Sequence, residues 1–127
     1  MNAKTKKKIL IIDDEEGIQT LLLDVLSGQG YEIISAKNGA EGLISAKRNK
    51  PDLILLDIMM PEIDGFTVQQ LLKEDPGTRN ITVLFITGTS VIDNAVRAIS
   101  QGAAGYIEKP FDLEVLLHKV ETLVHKH

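Results

Sequence analysis

The polar residues best suited to chemistry come directly after apolar runs of the sequence. They comprise three carboxylates, one hydroxyl and one ammonium: Asp13, Asp14, Asp57, Thr87 and Lys109. Three carboxylates brought together without a cation would repel one another and raise one another's pKa values. A hard divalent cation relieves that repulsion, and Mg²⁺ prefers oxygen ligands with a few retained waters. A fold that collects these side chains would therefore form a magnesium-dependent site.

Each of these residues also has a purely structural interpretation. Asp13 could be the N-cap of the first helix, a position at which Asp is preferred. Asp57 could open a turn that continues to Pro61 and Gly65. A Thr beside a strand is ordinary, and an isolated Lys is usually solvated. The occurrence of these residues after successive apolar runs nevertheless favours the chemical interpretation.

Five apolar runs predict five β-strands. Three runs are continuously apolar or nearly so, which is typical of strands covered on both faces in a parallel sheet. The second run is more mixed and suits an edge of the sheet. The runs are Ile9–Ile12, Tyr31–Ala36, Leu53–Leu56, Ile81–Ile86 and Gly105–Ile107.

The segments between and after these runs carry apolar residues at helical spacing, which predicts five helices. Gly102 is placed as the C-cap of the fourth helix, and Asp112 as the N-cap of the fifth. The apolar positions of the five helices span Ile18–Leu26, Ala40–Ala46, Phe66–Leu72, Ala95–Ile99 and Leu113–Val124.

Strand and helix alternating five times predict an α/β fold with a doubly wound parallel sheet. The common order for five strands is 2-1-3-4-5, in a flavodoxin-like three-layer αβα arrangement. Ligands bind such sheets beyond the carboxyl ends of the strands, where the winding reverses, here between strands one and three. With no internal repeat or linker, residues 1–127 are expected to form a single domain, with 1–6 as a flexible basic tail.

The composition excludes several classes of protein. The chain is 43% hydrophobic and 25% charged and contains no Cys, which excludes a disordered chain, disulfides and Cys-based zinc sites and is compatible with a cytoplasmic location. No apolar run approaches the length of a membrane span. The net charge is −4, and four of the 14 basic residues lie within the first eight positions. The acidic remainder argues against a nucleic-acid surface.

Four groups of motifs occur in a specific order along the chain. They are Ile11–Glu15, Asp57 with Met59–Pro61 and Asp64–Gly65, Thr87–Gly88, and Gly105–Phe111. Over essentially its whole length the chain thus resembles the receiver domain of two-component response regulators. The resemblance implies a cytoplasmic phosphorelay protein that accepts a phosphoryl group from a sensor histidine kinase or a phosphotransfer protein. It implies no enzymatic activity beyond the protein's own phosphorylation and dephosphorylation.

The resemblance also implies roles for the acidic residues. Asp57 would be the phosphoacceptor, with its carboxylate attacking the phosphoryl group of a phosphohistidine. Asp14, Asp57 and the Met59 backbone carbonyl would bind Mg²⁺ directly, and Asp13 would help through a bound water. The cation would neutralise charge on the phosphoryl oxygens.

Signalling by such a protein requires a second conformational state. Lys109 and Thr87 would each bind a phosphoryl oxygen, and the inward motion of Thr87 would make room for Tyr106 to turn. That rotation would change the face formed by the fourth predicted helix, strand five and the fifth predicted helix, which would bind an unidentified downstream protein. The Lys109-Pro110 peptide is cis in this family, so a cis bond is expected here.

Two other classes share part of this pattern. A flavodoxin-like FMN carrier has the same fold, but its phosphate loop after strand one is rich in Ser, Thr and Gly, whereas this chain has Asp13–Glu16. A phosphatase of the haloacid dehalogenase type needs a second Asp two residues after the nucleophile, where this chain has Met59. Because one helix follows Lys109, the sequence slightly favours a stand-alone receiver over one cut from a longer regulator.

Overall fold

A computed structural model of the chain describes residues 6–88, 97 and 100–125. Strands and helices alternate along these residues up to the fourth strand, after which the fifth strand is the next element with described bounds. Their bounds are β1 (Lys8–Ile12), α1 (Glu16–Gly28), β2 (Glu32–Ala36), α2 (Gly39–Asn49), β3 (Leu53–Asp57), α3 (Gly65–Glu74), β4 (Thr82–Thr87), β5 (Gly105–Glu108) and α4 (Leu113–Val124).

The five strands form one parallel sheet in the order β2-β1-β3-β4-β5. This confirms the predicted α/β fold and strand order. Every residue of β3 is buried, as are the four residues Ile9–Ile12 of β1. The mixed second run is confirmed as an edge strand, because β2 lies at one end of the sheet that the described residues form, next to β1, and is exposed or half-buried over most of its length.

Two apolar clusters, one on each face of the sheet, make the three layers. Ile9 and Ile11 point to the cluster that includes Leu22 of α1 and Leu116 of α4. The alternate residues of β1 point to the cluster that includes residues of α2 and α3. The strand period of two therefore supplies both faces of the core.

Side-chain caps fix where three of the helices begin. Asn38 accepts a hydrogen bond from Glu41 N before α2, and Asp64 accepts one from Thr67 N before α3. Asp112 accepts hydrogen bonds from Glu114 N and Val115 N, which confirms it as the N-cap of the last helix. These side chains satisfy backbone donors that have no partner within the helix.

Two sequence predictions fall wholly or partly outside the described residues. All the apolar positions of the fourth predicted helix, within Ala95–Ile99, lie there, although Arg97 between them is described; residues 1–5 of the expected basic tail lie there too. Gly102, placed as the C-cap of that helix, is described and has φ +91°, a conformation that glycine adopts without strain. None of the described helices combines the length and the hydrophobicity needed to span a lipid bilayer.

Candidate functional site

The predicted site residues lie at one edge of the sheet. Asp13 and Asp14 follow β1, Asp57 and Thr87 are the last residues of β3 and β4, and Lys109 follows β5. A carboxylate oxygen from each of Asp13, Asp14 and Asp57 lies within 4.8 Å of the other two. The parallel sheet thus brings together groups that are more than forty residues apart in sequence.

The loop after β3 places Asp57 through an unusually close packing of backbone. Gly65, the first residue of α3, donates a hydrogen bond from its N–H to the Ile58 carbonyl at 2.8 Å. A Cβ atom on residue 65 would press on the Asp57 carbonyl oxygen and on Ile58 Cα, closer than real Cβ atoms approach backbone. Glycine is therefore required here because α3 starts directly against the end of β3.

Asp13 shapes the loop between β1 and α1. Its Oδ1 accepts a hydrogen bond from Glu15 N at 2.8 Å. The N-cap of α1 is Glu15, which makes no side-chain cap, so the interpretation of Asp13 as the N-cap is wrong. The alternative for Asp57 holds in part, because its Oδ1 accepts from Met59 N at 3.3 Å, as in a turn.

Gln19, which the sequence analysis missed, also holds the loop between β1 and α1. Its Nε2 donates to the carbonyl oxygens of Asp13 at 2.9 Å and Ala36 at 2.8 Å. The first contact fixes the loop, and the second joins it to the end of β2. A polar residue at an ordinary helical position gave no signal of this, because its acceptors come from two different strand ends.

Lys109 reaches across the edge of the sheet to three carboxylates. Its Nζ lies 2.6 Å from Glu15 Oε1, 3.0 Å from Asp13 Oδ2 and 3.7 Å from Asp57 Oδ1. The Lys109-Pro110 peptide is cis, as the resemblance led us to expect. Glu15 belongs to the motif Ile11–Glu15, but the resemblance implies no role for it, so its contact with Lys109 is known from the structure alone.

Burial and mutual repulsion govern the charges of the site. Burial, together with the nearby charge of Asp13, raises the pKa of Asp57 to about 7, although Lys109 and the Met59 N–H act in the opposite direction. Burial also raises the pKa of Asp13. Burial alone would lower the pKa of Lys109, but the bonds to Glu15 and Asp13 outweigh it and raise that pKa. The carboxylates of the pocket therefore carry more negative charge than Lys109 balances.

The site has a buried part and a solvent-accessible part. Asp13, Asp57 and Thr87 are buried, with no more than 3% of each residue exposed. Asp14 is exposed, and Met59 is 62% exposed beside the pocket. A small ligand can therefore reach the carboxylates from the side of Asp14 and Met59.

The expected switch pair lies on adjacent strands. Thr87 ends β4, where it pairs in register with Glu108, and Tyr106 lies two residues earlier on β5 opposite Phe85. Tyr106 is 40% exposed. Thr87 is thus at the pocket edge, while Tyr106 lies on the outer strand, where a change of its rotamer alters the surface.

Comparison with known proteins relates the chain to one protein family. The model of the response regulator receiver domain family matches residues 9–121. The DNA-binding dual master transcriptional regulator RpaA of Synechocystis is 40% identical over 119 residues, which cover 94% of this chain and 49% of RpaA. The polar-differentiation response regulator DivK of Brucella anthropi is 34% identical over 116 residues, which cover 91% of this chain and 94% of DivK.

Solved structures give the same result. The chemotaxis response regulator CheY4 of Vibrio cholerae superposes with a TM-score of 0.87 and 28% identity, covering 94% of this chain and 99% of CheY4. The chain spans between 26% and 49% of the length of RpaA and several other curated relatives. These longer relatives therefore contain further segments, whereas DivK and CheY4 are nearly the same length as the matched region.

Proposed function

The chain belongs to the response regulator receiver domain family, and from this premise we propose that it takes a phosphoryl group from a phosphohistidine onto Asp57 in a Mg²⁺-dependent reaction. The observation that carries the proposal is the placement of Asp57, buried at the end of β3, within reach of two further carboxylates and the Lys109 ammonium. The phosphohistidine would belong to a sensor histidine kinase or a phosphotransfer protein. The protein would act in the cytoplasm and would catalyse only its own phosphorylation and dephosphorylation.

The donor set of the pocket fits Mg²⁺. Carboxylate and carbonyl oxygens are the ligands this ion prefers, and a cation would offset the burial and the Asp13 charge that raise the pKa of Asp57. Asp14, Asp57 and the Met59 carbonyl would hold the ion directly. Asp13 would act through water, because its own oxygens already accept from Glu15 N and Lys109 Nζ. When bound, Mg²⁺ would neutralise charge on the phosphoryl oxygens.

The transfer step uses the ionised form of Asp57. A carboxylate oxygen of Asp57 forms the new P–O bond while the P–N bond to the donor imidazole breaks, and the imidazole keeps the electron pair and takes up a proton. Lys109 favours the reactive anion, because its positive charge acts to lower the pKa that burial has raised. Its ammonium then pairs with a phosphoryl oxygen.

The test of this function uses the unmodified protein. Incubation with acetyl phosphate and Mg²⁺ should add the mass of one phosphate to the intact chain. Addition of EDTA before acetyl phosphate should prevent the gain. A protein that gains no phosphate under these conditions, or gains it equally in EDTA, would contradict the proposal.

Output would pass through the Thr87 hydroxyl to Tyr106. The phosphoryl group offers strong acceptor oxygens at the pocket edge, and a hydroxyl that moves towards them would bias Tyr106 between two positions. The face formed by β5, α4 and the fourth predicted helix, whose apolar positions lie outside the described residues, would then bind a downstream protein. Neither nucleic acid nor a membrane is proposed as a direct partner of this domain.

Thr87→Ala should separate phosphorylation from this response. The chain has only two tyrosines, so the Tyr106 ring can be followed by NMR, with Tyr31, which directly precedes β2, as an internal control. In the wild-type protein, the phosphoryl analogue beryllofluoride with Mg²⁺ should shift the Tyr106 signals and not those of Tyr31. Thr87→Ala should still bind the analogue while the Tyr106 signals stay in place. Full wild-type shifts in Thr87→Ala would contradict the proposed switch.

The lifetime of the phosphoryl group should depend on Met59. Hydrolysis needs a water in line with the phosphorus, and a thioether has no donor with which to orient it. Met59→Asn should therefore speed the loss of phosphate about tenfold, the effect of one oriented hydrogen bond that contributes about 1.4 kcal/mol in the transition state. Thr89, two residues after Thr87 in the sequence and a second candidate neighbour of this water, lies outside the described residues.

The decay is measured by intact mass after removal of acetyl phosphate, with Mg²⁺ saturating. Met59→Leu is the matched control, since it changes the shape of an exposed side chain and adds no hydrogen-bonding group. Its decay should stay within about twofold of the wild-type rate. Unchanged or slower decay in Met59→Asn would show that this side chain does not control access of water.

A further inference from the structure

The short contact between Glu15 and Lys109 points to a control on the proposed reaction. We propose that Glu15 is a positioning residue, which holds the Lys109 ammonium in the unphosphorylated protein and competes for it with the phosphoryl group on Asp57. The inference rests on the proposed function, because it assigns a regulator to the same pocket. The family roles implied for Asp13, Asp14, Asp57, Thr87 and Lys109 leave Glu15 without one.

The distances rank the partners of Lys109. The contact with Glu15 Oε1, at 2.6 Å, is the shortest of its three carboxylate contacts, and the one with Asp13 Oδ2, at 3.0 Å, is also a hydrogen bond. Asp57 Oδ1 is 3.7 Å away, beyond the range of a hydrogen bond. In this state Lys109 is therefore held by the loop after β1 and not by the proposed phosphoacceptor.

The environment makes this contact more than a surface ion pair. Only 13% of the Lys109 side chain is exposed, against 59% of the Glu15 side chain. The ammonium is thus held between a buried carboxylate, Asp13, and an accessible one. Two of its three N–H donors are then engaged, so a new acceptor competes with these contacts for the position of the ammonium.

Glu15 also differs from the residues proposed to hold Mg²⁺. The group of mutually close carboxylates consists of Asp13, Asp14 and Asp57, and Glu15 lies outside it. A bound cation would not by itself occupy the Glu15 carboxylate. On this proposal the phosphoryl group, and not the cation, weakens the contact, because its anionic oxygens attract Lys109 away from Glu15.

The test compares the affinity of the protein for beryllofluoride at saturating Mg²⁺, measured by titration calorimetry. Glu15→Gln should bind about threefold to fivefold more tightly than the wild-type protein, the range expected when a partly exposed ion pair is released. Glu16→Gln is the matched control, because it removes one exposed negative charge at the start of α1 from a residue that has no described contact with Lys109. Its affinity should equal that of the wild-type protein.

A second pair of variants separates competition for Lys109 from general repulsion. In a Lys109→Met background, adding Glu15→Gln should leave the affinity for beryllofluoride unchanged. Urea unfolding in EDTA compares the wild-type protein, Glu15→Gln, Lys109→Met and the double variant. The effects of the two substitutions on the free energy of unfolding should not be additive, which would show that Glu15 and Lys109 interact. Tightening of the same size in the Lys109→Met background, tightening by Glu16→Gln, or no coupling in EDTA would overturn the role of Glu15. Failure of the wild-type protein to bind beryllofluoride would instead overturn the proposed function, and the competition with it.

Discussion

Asp57→Asn should abolish the gain of one phosphate that acetyl phosphate and Mg²⁺ produce in the wild-type protein. An amide has no anionic oxygen with which to form the P–O bond, although its size and shape are nearly those of the carboxylate. Asp57 is 3% exposed, is the last residue of β3, and is aligned by the Met59 N–H. The loss of labelling should therefore be complete.

Asp52→Asn is the matched control for this experiment. Asp52 precedes the same strand at its other end, where its carboxylate accepts a hydrogen bond from Lys8 N at 2.8 Å. The asparagine can still accept that bond, so this variant should gain one phosphate as the wild-type protein does. Equal labelling of wild-type protein and Asp57→Asn would show that another residue accepts the group.

A measurement of stability shows that the unlabelled variant is folded. Burial and Asp13 raise the pKa of Asp57 to about 7, which means that the ionised carboxylate is unfavourable in the metal-free protein. Asparagine removes that charge and should raise the free energy of unfolding in EDTA by roughly 1 to 3 kcal/mol, since one pKa unit corresponds to about 1.4 kcal/mol. A decrease in stability would show that the charge of Asp57 is balanced in a way these contacts do not explain.

Asp14→Ala should weaken Mg²⁺ binding by more than about tenfold, and by a larger factor than Asp13→Ala. Asp14 is exposed, and its carboxylate is available to a cation without the loss of a described hydrogen bond. The Asp13 carboxylate accepts from Glu15 N and Lys109 Nζ, so we expect it to reach the ion through water. Loss of a direct ligand costs more affinity than loss of a residue that orients a water.

Calorimetric titration with Mg²⁺ measures this order of affinities. Asp24→Ala, which removes an exposed carboxylate from α1, should leave the affinity unchanged. A larger loss in Asp13→Ala than in Asp14→Ala would reverse the two assignments. A sharp fall in the metal-free stability of both variants would show that these carboxylates serve the fold more than the cation.

The sequence was sufficient for the sheet and for the place of the site. Continuous apolar runs occur where strands are buried on both faces, and β1, β3 and β4 are the three central strands. Polar residues directly after those runs had to lie at the carboxyl edge, because all strands of a parallel sheet end on the same side. Asp13, Asp57 and Thr87 could therefore be placed together before the structure was known.

Local sequence patterns were less informative about helix N-caps and about places where two backbone segments pack closely. Asp112 was predicted as an N-cap because it directly precedes a clear amphipathic pattern, whereas Asn38 was missed before the weaker pattern of α2. Asp13 was offered as an N-cap on residue type alone, and the structure assigns that position to Glu15. The need for Gly65 depends on how closely α3 approaches the end of β3, which no local pattern encodes.

By itself, then, the sequence determined the order of strands and helices, the buried faces and the edge at which Asp13, Asp14, Asp57, Thr87 and Lys109 lie, since periodicity and strand ends are local properties. Only the tertiary structure decided which carboxylates Lys109 contacts. Its partners Asp13 and Glu15 are 96 and 94 residues away along the chain. Differences of about 1 Å among three candidate oxygens separate a hydrogen bond from a longer ion pair. Such differences arise from the packing of the whole sheet edge, including the hydrogen bonds from Gln19 to the Asp13 and Ala36 carbonyls. No residue pattern specifies them.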